Sequence, residues 1–167
     1  MEGLVIDPGD EVLRILKEIT NTGLRIKHIL LSHGHGDHTG AAKELKDIVK
    51  APVWIHSLDS PGLGFPPDGI LFEGQEIEVG TYRIKVIHTP GHSPGGVCLY
   101  APGAVFTGDT LFCGSIGRTD FPGGDHQKLI KGVKEKIFPL GDELRVYPGH
   151  GPASTIGQER RSNPFFR

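Results

Sequence analysis

Leu4-Val5-Ile6, followed by the turn-forming Asp7-Pro8-Gly9-Asp10, predicts a short strand; Val12, Leu13, Ile15, Leu16 and Ile19 then recur at helical spacing until Asn21-Thr22-Gly23 closes the helix. The alternation repeats. Ile26, Ile29, Leu30 and Leu31 mark a largely apolar strand broken by Lys27 and His28, and Ala41, Ala42, Leu45, Ile48 and Val49 mark the inward stripe of a helix that Pro52 ends. Between them the polar run His33-Gly34-His35-Gly36-Asp37-His38-Thr39-Gly40 falls in a strand-to-helix loop. Val53-Trp54-Ile55 predicts a further strand, and residues 57–69, rich in Pro, Gly and Asp, a loop.

Beyond that loop the pattern turns strand-rich. Residues 76–80, 82–88, 97–100 and 104–107 are short β-branched or aromatic runs separated by Gly and Pro turns. Leu129, Ile130, Val133, Ile137 and Phe138 define another helix, residues 144–147 a last strand, and residues 155–161 a short final helix. No repeat, low-complexity tract or linker interrupts the chain. The expectation is a single α/β (α+β) domain over residues 1–167, with helices covering the outside of packed sheets.

Composition narrows the function more than the fold. A chain of 167 residues can bury roughly two thirds of its unfolded surface around one core. A net charge of -2 and the lack of any lysine or arginine block argue against nucleic acid and anionic membrane as partners. No apolar run approaches a membrane span, and Met1-Glu2-Gly3 opens no signal peptide, so a cytoplasmic location is expected. Cys98 and Cys113 form neither a disulfide framework nor a CxxC zinc motif. Nine histidines exceed what packing needs.

All six residues from His33 to His38 are His, Gly or Asp, with glycines set between the polar groups, a pattern that serves neither a helix face nor a strand face; the glycines predict a tight loop turning its side chains inward. Neutral imidazole and carboxylate suit zinc and similar divalent ions, with ligand atoms at about 2.0 to 2.2 Å. Partners exist downstream. His88-Thr89-Pro90-Gly91-His92, Gly108-Asp109 and Pro148-Gly149-His150-Gly151 each follow an apolar strand, where rigid scaffolds commonly carry sites on loops.

In this order HxHxDH, HTPGH, GD and PGHG resemble the metallo-β-lactamase superfamily, most nearly its small glyoxalase II-like hydrolases; residues 111–125 and 148–160 extend the likeness almost to the C-terminus. The resemblance implies an αβ/βα sandwich, here lacking the first N-terminal strands. It implies that His33, His35 and His92 hold one divalent ion, that Asp37, His38 and His150 hold a second, and that Asp109 bridges them. Zinc is the expected metal, with iron or manganese as alternatives. Paired ions of this kind sit roughly 3.5 to 4 Å apart and lower the pKa of a shared water towards about 7, giving a hydroxide nucleophile, with Asp37 and Asp109 as the catalytic carboxylates. The implied substrate is a small-molecule thioester such as an S-(2-hydroxyacyl)glutathione. A thiol of pKa about 8.5 leaves without a strong general acid, whereas an amide nitrogen needs one.

Arg118, in Gly117-Arg118-Thr119-Asp120-Phe121, is placed near the site by the same likeness, as a contact for an acidic substrate group or as the partner of Asp120 or Asp125. His28, His56, His88 and His126 read as structural, Cys98 as core, and Cys113 and Tyr147 as packing residues. Rival activities are a mononuclear iron persulfide dioxygenase, which the sequence PGHG disfavours; a β-lactamase, disfavoured by intact His38 and Asp109; and a tRNA-processing nuclease, disfavoured by charge. A further rival is an incomplete, inactive binding fold. Relatives usually begin about two strands earlier, and a missing hairpin would leave a sheet edge unpaired. Fuller glyoxalase II enzymes add a C-terminal helical domain that contacts glutathione, which leaves the thiol half of the substrate open, as is the oligomeric state.

Overall fold

A computed structural model describes residues 1–167. Strand β1 (Glu2–Ile6), helix α1 (Val12–Thr22), β2 (Arg25–Leu30), the one-turn helix α2 (Gly36–Thr39), α3 (Ala42–Val49), β3 (Val53–His56) and β4 (Gly69–Leu71) follow in order. The four strands form one sheet in sequential order, every pair parallel. Parallel neighbours need crossover connections, and α1 and α3 supply the first two. Gly23 ends α1 in the left-handed conformation at φ 65°, with its N–H donating to the Ile19 and Thr20 carbonyls. Ile29, Leu31, Val53 and Ile55 pack on Ala42 and Leu45 of α3 and on Ile15, Leu16 and Ile19 of α1. Two stripe positions behave otherwise: Leu13 is 82% exposed and Ile48 also faces water. β1 is an outer strand, bonded to β2 alone.

The second sheet contains β5 (Glu76–Val79), β6 (Tyr82–His88), β7 (Val97–Ala101), β8 (Ala104–Gly108), β11 (Arg145–Pro148) and β12 (Ser154–Thr155), in the order β12-β11-β8-β7-β6-β5. Only β8 and β11 pair in parallel, so β6, β8 and β11 run the same way and end at one edge. β9 (Leu111–Phe112) and β10 (Ser115–Ile116) form a small hairpin beside that edge. Helix α4 (His126–Gly132), continued by a π turn over Val133–Ile137, and α5 (Ile156–Ser162) cover the outer face through Leu129, Val133, Ile137 and Ile156. Leu30 and Leu71 of the first sheet meet Val86, Val97 and Leu99 of the second in a central core. The layers therefore run helix, sheet, sheet, helix, the expected αβ/βα sandwich.

The hydrophobic pattern missed β4, β9, β10 and β12, all of two or three residues and too short to show an alternation. It also drew the HGHGDHTG run as loop throughout, whereas residues 36–39 close one helical turn.

Candidate metal centre

β2 ends at Leu30, β6 at His88, β8 at Gly108 and β11 at Pro148, and the loops beyond these four ends carry the seven histidines and aspartates singled out above. All seven converge. His33 Nε2 lies 3.1 Å from His35 Nδ1, which lies 2.9 Å from His92 Nε2. On the other side His38 Nε2 is 3.2 Å from His150 Nε2, and His150 Nε2 is 3.0 Å from Asp37 Oδ2. Asp109 stands between, with Oδ1 3.2 Å from His38 Nε2 and Oδ2 3.5 Å from His92 Nε2. Three overlapping sets result, His33-His35-His92, His33-His38-Asp109 and Asp37-His38-His150, each with ligand atoms within 4.8 Å of one another.

Close approach, rather than backbone conformation, explains Gly34 and Gly149, whereas a Cβ on Gly36 would meet nothing within 4 Å. Neither Gly34 nor Gly36 takes a positive φ. A Cβ on Gly34 would lie 2.6 Å from the Asp59 carbonyl oxygen, and one on Gly149 would lie 2.5 Å from both Asp109 Oδ1 and His38 Cε1. The centre is thus walled by backbone where a side chain would fill it.

Residues that carry no ligand in the sequence pattern hold the ligands in place. Asp7, at φ 49° just after β1, accepts hydrogen bonds from Ser32 N–H (2.6 Å), Ser32 Oγ (2.6 Å) and His38 Nδ1 (2.9 Å). Ser32 Oγ is in turn 3.0 Å from His33 Nδ1, so one carboxylate orients two imidazoles. The sequence shows Asp7 only as a turn residue, because the contact spans 31 positions. His92 Nδ1 donates to the Arg118 carbonyl at 2.7 Å, so Arg118 supports the centre through its backbone.

The electrostatics suit divalent ions. Burial pushes His33 down to about 2, which leaves its ring neutral with a lone pair to give. Burial lowers His92 as well. Burial opposes charge on His38 too, but the Asp109 and Asp7 carboxylates beside it overcome this and raise the ring to about 10. Asp109 is held below the usual carboxylate range, against its own burial, by His38 and the neighbouring imidazoles. Its buried Oδ1 lies near His38 yet lacks a partner in hydrogen-bond geometry. A divalent cation meets that orphaned oxygen and the neutral imidazoles together, so the donor set fits the group.

Above the centre opens a cavity of about 590 Å³, lined by His35, Asp37, His92, Asp109 and His150 and walled by Phe112, Ser115, Ile116, Arg118 and Phe121. The Arg118 guanidinium pairs with both Asp120 oxygens (3.0 and 2.9 Å) and covers the Phe121 ring at 4.5 Å. Phe121 and Phe112, which the pattern did not single out, stand edge-on to His35 and His150 respectively. The remaining histidines stay outside: His28 lies edge-on to Trp54, His56 stacks on His88 at 4.3 Å, and His126 opens α4. Cys98 is buried, Cys113 meets Gln158 from α5, and Tyr147 stacks on Phe106.

Comparison with known proteins shows the family. The sequence model of the metallo-beta-lactamase superfamily matches residues 2–150. Hydroxyacylglutathione hydrolase GloC of Haemophilus influenzae is 39% identical over 182 residues, spanning 97% of this chain and 86% of that protein. The crystal structure of BLEG-1 B3 metallo-beta-lactamase superposes with TM-score 0.93 at 37% identity, covering 99% of this chain and 88% of that one. The structure of TTHA1623 in a di-iron-bound form superposes with TM-score 0.84 at 42% identity, covering 96% and 87%.

Proposed function

This chain belongs to the metallo-beta-lactamase superfamily, a metal-dependent hydrolase by its family and relatives, and from that premise we propose that it hydrolyses small-molecule thioesters at a two-metal centre. The observation that carries the reading is the convergence of seven donors from four loops on the floor of one cavity. His33, His35 and His92 are assigned to one ion, Asp37, His38 and His150 to the other, and Asp109 to both. Bound there, two divalent ions supply Lewis-acid polarisation of the thioester carbonyl and a water acidic enough to attack at neutral pH. Zinc is the first candidate, and the di-iron form of a relative keeps iron open.

The chain's own residues set the rest. Asp37 and Asp109 offer carboxylate oxygens that accept the hydrogen bonds of the attacking water and so aim it. The other polar side chains in the cavity wall are Ser115 and Arg118, neither a proton donor near neutral pH. A thiolate leaves without one; an amine does not. Phe112 and Phe121 offer apolar walls to the acyl or thiol group, and a substrate carboxylate would share Arg118 with Asp120. The likeness to GloC favours S-(2-hydroxyacyl)glutathione esters.

A second reading, β-lactam hydrolysis, rests on the likeness to BLEG-1. It uses the same ions but must expel an amine from a site with no evident acid. The metal-replete protein assayed with S-lactoylglutathione, coenzyme A esters and nitrocefin separates the two. Thioester turnover exceeding nitrocefin turnover is the expected result. Nitrocefin turnover alone would replace the reading, and oxygen uptake on glutathione persulfide with one iron per chain would overturn it.

A further inference from the structure

Asp59 lies in the loop after β3, in a segment the sequence marks only as rich in turn formers, and its side chain is just 7% exposed. A buried carboxylate is costly unless its oxygens are satisfied. Both are satisfied by backbone: Oδ2 accepts the Gly34 N–H at 3.0 Å, and Oδ1 accepts the Gly95 N–H at 2.6 Å. These amides belong to different loops. Gly34 lies between His33 and His35, and Gly95 lies three residues beyond His92. The fit admits no side chain, since a Cβ on Gly95 would come within 2.6 Å of Asp59 Oδ1. The loop is itself tied down, with Asp59 N–H on the His56 carbonyl and the Gly62 N–H on the Asp59 carbonyl.

We propose that Asp59 is a positioning residue that clamps the His33/His35 loop to the His92 loop and so presets the trihistidine half of the centre. This role for Asp59 rests on the two-metal reading above and extends it to a residue outside the ligand set. A backbone link from Val97 N–H to the Ser32 carbonyl joins the same two loops at their base. The Asp59 clamp joins them at ligand level, where His35 Nδ1 and His92 Nε2 meet at 2.9 Å. Two charge-assisted bonds from one rigid carboxylate fix a spacing that neither loop can hold alone. The other half is held by other means, Asp7 orienting His38 and Gly149 N–H bonding the Gly108 carbonyl. The clamp therefore acts on one half selectively.

Asp59→Asn tests this, because an amide of the same shape accepts from one backbone N–H but turns its own NH2 against the other. The full chain, stripped of metal and titrated with zinc alone by calorimetry, is expected to lose about 10- to 100-fold in affinity for the ion of the trihistidine half. Imidazole NMR signals of His35, His92 and His150 assign each binding step, and the His150 step is expected to move less. In metal-free protein, amide exchange at Gly34 and Gly95 is expected to accelerate while Ile29 and Leu99 keep their protection. Unchanged exchange at both glycines, or equal weakening of both ions, would overturn the proposal. If the wild-type chain bound neither zinc nor ferrous iron titrated in its place, the two-metal reading would fail, and the exchange result would still decide the clamp.

Discussion

His33 and His92 reach the centre from inside the protein, whereas Asp37 and His150 come to it across the open rim, their side chains 59% and 54% exposed. The inner residues hang from loops bonded to Asp7, Ser32, Asp59 and the Arg118 carbonyl. Asp37 and His150 have chiefly each other, at 3.0 Å. His38 belongs to the outer set but is buried, and with Asp109 it couples the halves. The difference teaches that a cluster of candidate metal donors need not be built evenly. The inner donors are part of the core and are held by hydrogen bonds of the chain itself, while Asp37 and His150 stand at the rim with few such bonds.

The strongest break of this contrast is His33→Ala, which removes a donor from the buried half and leaves a cavity behind it. Both ions should be lost to elemental analysis and thioester turnover should fall by more than about 100-fold, since even residues that merely orient ligands are worth about 10- to 100-fold. Next comes Gly149→Ala, whose methyl would press on Asp109 Oδ1 and His38 Cε1 where the halves join. Turnover about 10- to 100-fold lower is expected, with stability reduced by about 1 to 3 kcal/mol from the overpacking. A chelator added in limiting amounts sharpens the contrast without mutation: one ion should leave first, and the His150 imidazole NMR signal should move before those of His35 and His92. Leu45→Ala, in the core under α3, should cost about 2 to 5 kcal/mol of stability by denaturant unfolding yet leave metal content at the wild-type level. The smallest effect concerns thiols. Burial pushes Cys98 up to about 11, so a thiol reagent at neutral pH should label Cys113 and spare Cys98 in native protein.

Most of the fold was legible because its strands and helices carry strong periods. Residues 82–88 read as a strand with the bounds the structure shows, and Gly23 ends α1 as the Asn-Thr-Gly stop implies. The seven candidate donors were legible because six of them sit beside glycine and each group follows an apolar run. What holds the donors was not legible. Asp7 and Asp59 look like ordinary turn residues, and their partners lie 25 to 36 positions away, a distance no local pattern spans. The cavity walls escaped for a related reason: Phe112 and Phe121 flank the site only because β9 and β10 form a hairpin of two-residue strands. Arg118 lines the cavity, but it is its carbonyl rather than its guanidinium that meets His92.

Anomalous scattering from crystals of the metal-replete protein tests the central claim most directly. Two peaks roughly 3.5 to 4 Å apart, one against His33, His35 and His92, the other against Asp37, His38 and His150, with Asp109 between, are the predicted result. A single peak at full loading, with Asp37 and His150 turned to solvent, would contradict it.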